Sequence, residues 1–253
     1  MRISVMTHVG SVRERNEDSL LVCDGEERLF AGKTELTKSW SSSRSLIACV
    51  ADGMGGHSGG AEASRIVCEV LRSRANDLLA CKLAAEVETV IQQVIVAVNQ
   101  AIHAAQARDS ALSGMGSTLA GLLISDTQVT SFHSGDSRIY GLKGGFLQQI
   151  TRDHNQYESM KRHGLEADTS AKALVHCLGG GVSDNFVEIM HLSLMHGFTD
   201  YLLCSDGVYE FCDDDTLELA LRNHAPEQIQ RAVFAAGAGD NLSCVMISLQ
   251  GRT

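Results

Sequence analysis

Along this chain the apolar positions change period several times, and each change predicts an element. Residues 3–8 alternate apolar and polar, the period of a half-buried strand, and Gly10 breaks it. A dense charged knot follows, Val12-Arg13-Glu-Arg15-Asn16-Glu17-Asp18, and then a second strand over 19–23. Residues 25–44 are polar and irregular and read as a long surface hairpin. The apolar run 46–51 predicts a buried strand that stops at Asp52. Ile66, Val67, Val70 and Leu71 lie on one face of a helix over 61–79. Val87, Val90, Ile91, Val94, Val98 and Ile102 do the same for a helix over 83–107. The period then falls to two. Short strands over 118–125, 128–134, 138–142 and 146–150 are joined by tight turns, the signature of an antiparallel meander. A short helix over 154–162, strands over 186–194 and 201–204, helices over 214–222 and 226–236, and a buried strand over 242–249 complete the order, with Pro226 suited to a helix start. Strands, a helix pair, a meander, then helices and a last strand form an α+β order rather than a βαβ alternation. Two mostly antiparallel sheets with helices outside fit it best.

With 253 residues, 44% of them hydrophobic, a single proline and no linker-like stretch, one domain over 1–253 is expected. The net charge of −10 argues against nucleic acid or an anionic membrane as partner. Eight scattered cysteines without a C-x-x-C pair, several of them inside apolar runs, read as reduced core thiols of a cytoplasmic protein. The start lacks a signal-peptide core, and no apolar stretch is long enough to span a bilayer.

The candidate chemistry centres on Val50-Ala-Asp52-Gly53-Met-Gly-Gly-His57-Ser58-Gly-Gly, where a strand runs into an acid and a glycine loop. A dinucleotide loop would need a third glycine that is Ser58 here, and Asp52 would face the phosphates. Gly56-His-Ser58-Gly-Gly60 satisfies G-x-S-x-G, but a nucleophile elbow places its serine directly after the strand, and here Asp52 to Gly56 intervene. A metal carboxylate is the third reading, and it alone predicts partner acids. Three further strand-end acids share the pattern: Gly135-Asp136-Ser-Arg138, Ser205-Asp206-Gly207 and Gly239-Asp240-Asn241. Carboxylates converging at one edge repel each other unless hard divalent cations sit among them. All-oxygen ligation favours magnesium or manganese, and no zinc-type His or Cys spacing is present.

These segments, with Arg13-x-x-Asn16-Glu17-Asp18, Gly116-Ser-Thr118 and Thr151-x-Asp153-His154, stand in an order that resembles the metal-dependent protein serine/threonine phosphatases of type 2C in their compact bacterial form. The match runs from about Val9 to Val245. The resemblance implies a four-layer α+β sandwich, two antiparallel sheets flanked by helix pairs, with a two-metal centre of manganese or magnesium at one end. It implies that Asp52 bridges both ions, that Glu17 and the Gly53 carbonyl complete one, and that Asp206 and Asp240 complete the other. Asp18 would hold metal-bound water, Arg13 would grip the phosphate, and Asp136 would share a weaker third ion with Asp206. His57 has two readings, proton donor to the leaving alkoxide or loop packing; animal members place the proposed acid two residues after the bridging Asp, where this chain has Met54. Glu210 has two as well, support of a third ion or a surface acid. His154 reads as structural, and a flap over about 155–183 as shaping substrate access.

By the same resemblance, water activated between two cations attacks phosphorus in line with the departing Ser or Thr oxygen, without a covalent phosphoenzyme. Phosphorylated proteins would be the substrates, a bacterial Ser/Thr kinase the opposing partner, and a monomer the expected state. The rival readings are a catalytically weak member that binds phosphoproteins, a serine esterase using Ser58, and a small-molecule phosphoesterase.

Overall fold

The structure, a computed structural model, describes residues 1–42, 45–55, 59–126, 128–166, 168, 170–181, 185–193 and 197–249. In chain order, the strands β1 (Arg2–His8), β2 (Ser19–Cys23), β3 (Glu27–Ala31), β4 (Glu35–Ser41), β5 (Leu46–Ala51) and β6 (Gly53–Met54) precede three helices. These are α1 (Gly59–Ser73), α2 (Ala75–Ala80) and α3 (Ala84–Arg108). The middle of the chain holds β7 (Gly116–Ser117), β8 (Leu119–Ile124), β9 (Gln128–Ser134), β10 (Arg138–Lys143), β11 (Phe146–Gln149), α4 (Gln156–Arg162), β12 (Leu178–Gly179) and β13 (Glu188–Ser193). The last part holds β14 (Phe198–Cys204), α5 (Asp206–Tyr209), α6 (Asp214–Asn223), α7 (Pro226–Ala235) and β15 (Leu242–Ser248).

Two six-stranded antiparallel sheets, β11-β10-β14-β15-β1-β4 and β13-β9-β8-β5-β2-β3, lie face to face. Alternation along each central strand builds the layers. In β5, Ile47, Cys49 and Ala51 pack with α1 and α3, while Leu46, Ala48 and Val50 enter the core between the sheets. In β15, Val245 and Ile247 face that inter-sheet core, while Leu242, Cys244 and Met246 meet α6 and α7. Strands covered on both faces read as unbroken apolar runs, which is why β5 and β15 lack a polar face. Each large aliphatic side chain so buried contributes about 1.5–3 kcal/mol. The four-layer α+β sandwich expected from the sequence is therefore the fold.

Three details differ from the expectation. The stretch read as a surface hairpin is two strands of different sheets: β3 pairs with β2 and β4 with β1, so this segment crosses from one sheet to the other. The first helix breaks at Arg74 into α1 and α2. A small third sheet, β12-β7-β6, made of two-residue strands, sits beside Asp52.

Strand register places the acids. Ser19 pairs with Ala51, Leu119 with Ser134, Arg138 with Cys204, and His8 with Leu242. Hence the segments carrying Glu17, Asp18, Asp52, Asp136, Asp206 and Asp240 all leave their sheets at one end of the sandwich.

Candidate metal centre

Asp52 ends β5, and its backbone is clamped on both sides by one residue. Its N–H donates to Thr118 Oγ1 (2.9 Å) and its carbonyl accepts from Thr118 N–H (2.8 Å). Thr118 Oγ1 lies 2.6 Å from Ser137 Oγ, which ties this clamp to the Asp136 turn. Next to Asp52, two glycines let chains meet that side chains would separate. A Cβ on Gly53 would lie 2.0 Å from the Gly60 carbonyl oxygen; one on Gly60 would lie 2.7 Å from the Gly53 carbonyl oxygen and 2.8 Å from Glu17 Oε2. The Glu17 carboxylate and the Gly53 carbonyl therefore share one small space at the start of α1. Alanine normally improves a helix over glycine by about 0.5–1 kcal/mol. Gly60→Ala is expected to do the reverse, lowering stability by about 1–3 kcal/mol through the backbone clash. A urea midpoint shifted downward, with weaker manganese binding by calorimetry, checks this.

Asp18 is buried within reach of the charge of Asp52. Its Oδ2 accepts from Ser205 Oγ (2.8 Å), while Oδ1 is buried with no hydrogen-bond partner. Burial, helped by the charges of Asp206 and Asp240, pushes its pKa up to about 7. Asp206 opens α5 after β14; burial and the nearby Asp240 and Glu210 push it up to about 6. It sits against Asp52, whose pKa is driven well up by burial and then by the charges of Asp18, Asp206 and Asp136. Two carboxyls in such contact share a proton unless a cation replaces it.

Asp240 precedes β15. Its Oδ1 accepts from Asn241 N–H (2.8 Å), and its Oδ2 accepts from Arg13 Nη2 (2.7 Å), so the half-exposed guanidinium pairs here with an expected metal ligand. Arg13, Glu14, Arg15, Glu17 and Gly55 line an open cleft of about 360 Å³ beside the charged knot. Asn241 ties the charged knot in place: its Nδ2 donates to the Val9 and Arg15 carbonyls (2.8 and 2.9 Å), and its Oδ1 accepts from Glu17 N–H (2.8 Å). Asn16 does similar work from within, donating to Thr7 Oγ1 (2.7 Å) and accepting from Asp18 N–H (3.1 Å). These positions stand in the motifs, but their partners lie up to 232 residues away, so no local signal could assign them.

Asp136 occupies the β9–β10 turn. Burial, then the charges of Asp206, Asp153 and Glu210, push its pKa up to about 7. Tyr209 Oη donates to its carbonyl (3.1 Å), and Arg138 lies over the Tyr209 ring while donating twice to Asp153 (2.9 and 2.8 Å). Glu210 pairs with Lys172 (2.6 Å) at the edge of this pocket. His57 and Ser58 lie outside the described residues.

The site suits hard divalent cations on three counts. Its donors are oxygens throughout, its buried acids carry pKa values raised by burial and by one another's charge, and the unpartnered Asp18 Oδ1 lies among them. Glu17, raised by burial, fits the same description.

Known proteins agree with this geometry. The family profile described as Protein phosphatase 2C matches residues 35–241. The serine/threonine phosphatase stp of Listeria monocytogenes serotype 4b is 29% identical over 261 residues, covering 98% of this chain and 95% of that protein. The crystal structure of the Mycobacterium tuberculosis serine/threonine phosphatase PstP/Ppp is similar with a TM-score of 0.76 at 26% identity, covering 98% of this chain and 99% of that one. The catalytic domain of PstP in complex with two manganese ions gives 0.73 at 27% identity, covering 97% and 98%. The profile spans most of the sandwich and includes Asp52, Asp136, Asp206 and Asp240, and the chain belongs to the protein phosphatase 2C family.

Proposed function

We propose that this chain is a metal-dependent protein phosphatase that hydrolyses phosphoserine and phosphothreonine. It would act as one catalytic domain over 1–253, with two manganese or magnesium ions held by Glu17, Asp52, the Gly53 carbonyl, Asp206 and Asp240. The observation that carries this reading is the convergence of the segments bearing Asp18, Asp52, Asp136 and Asp206 at one end of the sandwich, with Asp18 Oδ1 buried and without a hydrogen-bond partner. When bound, the ions supply Lewis-acid polarisation of the phosphoryl group and acidify water, so neither Ser58 nor a cysteine is needed as nucleophile.

The chain's own groups supply the rest. Arg13 exchanges Asp240 for the phosphoryl oxygens, to which its planar fork offers paired donors. Asp18, fixed through Ser205, keeps its free Oδ1 as an acceptor for a water proton. Asp136, with Asp206, would hold a weaker third ion, and His57 is the candidate donor to the leaving oxygen. The opposing partner is a Ser/Thr kinase, and the setting cytoplasmic signalling. The excess negative charge and the eight cysteines, which form no disulfide among the described residues, support that setting.

Phosphate release from a phosphothreonine peptide and from an aryl phosphate, each with manganese and with chelator, tests the reading. The peptide is expected to be turned over only with manganese and with the higher kcat/KM. A preference for the aryl ester would favour the small-molecule phosphoesterase, and no metal-dependent release would leave a binding protein.

A further inference from the structure

Behind the Asp136 turn lies a column of rings that the proposed chemistry does not use. His133 of β9 stacks on His154 at 4.3 Å between centroids, Phe186 meets His154 edge-on at 5.1 Å, and His176 stacks on Phe186 at 4.1 Å. His154 is buried and makes a double contact with one residue. Its backbone N–H donates to the Gly135 carbonyl (3.0 Å), and its ring Nδ1 accepts from Gly135 N–H (3.2 Å). Gly135 has φ +105° and immediately precedes Asp136.

That arrangement fixes the tautomer. With Nδ1 accepting, the proton of the neutral ring sits on Nε2, which faces Glu188 Oε2 at 3.5 Å. Burial, and then His133 alongside, push the His154 pKa down to about 4, consistent with a neutral ring. His133, His154 and Glu188 bring possible ligand atoms within 4.8 Å of one another. Their chemistry nevertheless disfavours a cation: a protonated Nε2 has no lone pair to give. The His133 and His154 rings are also inclined by only 21°, so their in-plane lone pairs cannot converge at one ion.

Gly135 connects to the metal centre on two sides. It is bonded in sequence to Asp136, and a Cβ on it would meet Thr118 Cγ2 at 2.7 Å, against the residue that clamps Asp52. Its positive φ leaves the turn held chiefly by its hydrogen bonds, and His154 makes both of those described for its peptide groups.

We infer that His154 is a positioning residue for the reaction: through Nδ1 and its own N–H it locks the Gly135 turn, and so presents the Asp136 carboxylate toward the cation it shares with Asp206. This inference rests on the reading of Asp136 as a metal ligand. It goes beyond packing because only one ring nitrogen carries it. The amide oxygen of asparagine can occupy the place of Nδ1, whereas glutamine reaches the place of Nε2.

His154→Asn, His154→Gln and His154→Ala in the full chain therefore separate the cases. The Gln and Ala variants are expected to raise the manganese concentration for half-maximal activity about tenfold, with the Asn variant within about twofold of the parent, as for removal of an outer partner of a metal ligand. Hydrogen exchange of the 133–138 segment, followed without metal, is expected to quicken about tenfold in Gln and Ala only, by loss of roughly 1.4 kcal/mol of local protection. Equal behaviour of Asn and Gln, or unchanged exchange in all three, overturns the inference. Because variants can fail to fold, the parent protein gives a second reading: nitrogen NMR of the His154 ring should show the Nε2–H tautomer, and the Nδ1–H tautomer overturns it. Asp136→Asn separates the two layers. If it leaves the manganese requirement unchanged, the metal role of Asp136 falls, while exchange still reports whether His154 holds the turn.

Discussion

Asp52→Asn is expected to lower kcat/KM toward a phosphothreonine peptide by about 10³-fold while raising the unfolding temperature of the metal-free protein. The loss follows from position. Asp52 sits against Asp206, and the carbonyl of the next residue, Gly53, shares a small space with Glu17, so neutralising Asp52 removes charge beside both proposed ion sites. Forfeiting several kcal/mol of transition-state charge stabilisation corresponds to about three decades of rate. The gain follows from the same crowding. Burial and three neighbouring acids already drive the Asp52 pKa well above its ordinary value, which disfavours the ionised carboxyl there. An amide carries no charge, and it leaves the two backbone bonds to Thr118 intact. Relief of about 1–3 kcal/mol is the scale for a buried polar group without a good partner, and each kcal/mol moves the midpoint of a chain this size by about 2–4 °C. Measured together, kinetics and melting separate lost chemistry from lost folding. A variant that keeps its activity would remove Asp52 from the centre, and one that also melts lower would show that the acid stabilises the metal-free fold.

Asp52, Asp136, Asp206 and Asp240 were legible in the sequence because each stands at one end of a strand beside a glycine or asparagine, a purely local signature, whereas Glu17 and Asp18 came only with the resemblance. Strand ends could be read from alternation, and the register of an antiparallel sandwich then brings such ends to one edge. The partners of the acids were not legible. Arg13 meets Asp240 across 227 positions, and Asp18 meets Ser205 across 187, distances over which no periodicity speaks. The β3–β4 segment shows the same limit differently. Alternation in Glu35–Ser41 marks a strand, but nothing in it says that the partner is β1 of the other sheet rather than β3 next door. Two-residue strands such as Gly53–Met54 and Gly116–Ser117 are shorter than any period, so the small sheet beside Asp52 was invisible. His154 was read as structural, and its ring does orient a segment; that the segment is the Asp136 turn, 19 residues back, required coordinates.

Stability of the metal-free protein is expected to fall as pH rises from about 5 to about 7, opposite to the usual behaviour of a protein whose carboxylates are salt-bridged. Asp18 and Asp136 are pushed up to about 7 and Asp206 to about 6, in each case first by burial and then by neighbouring acids, from an ordinary value of 3.8. Between those limits the folded chain binds more protons than the unfolded one. Linkage then makes the unfolding free energy decrease with pH: the stabilising contribution is complete below about 4 and is lost as pH passes through the folded values. The acids titrate as a set, so the separate shifts do not add. A single net proton retained across the window already gives about 1.4 kcal/mol per pH unit, or about 3 kcal/mol from pH 5 to pH 7. Manganese competes with those same protons and binds the ionised ligands, so its stabilising shift should be small at pH 5 and large at pH 7. Melting curves at both pH values, with manganese and with chelator, give the four numbers required. A metal-free midpoint that rises across this window, or a manganese shift equal at both ends, would mean that the acids at the end of the sandwich do not share one electrostatic site, and the reading of a metal centre there would fall with it.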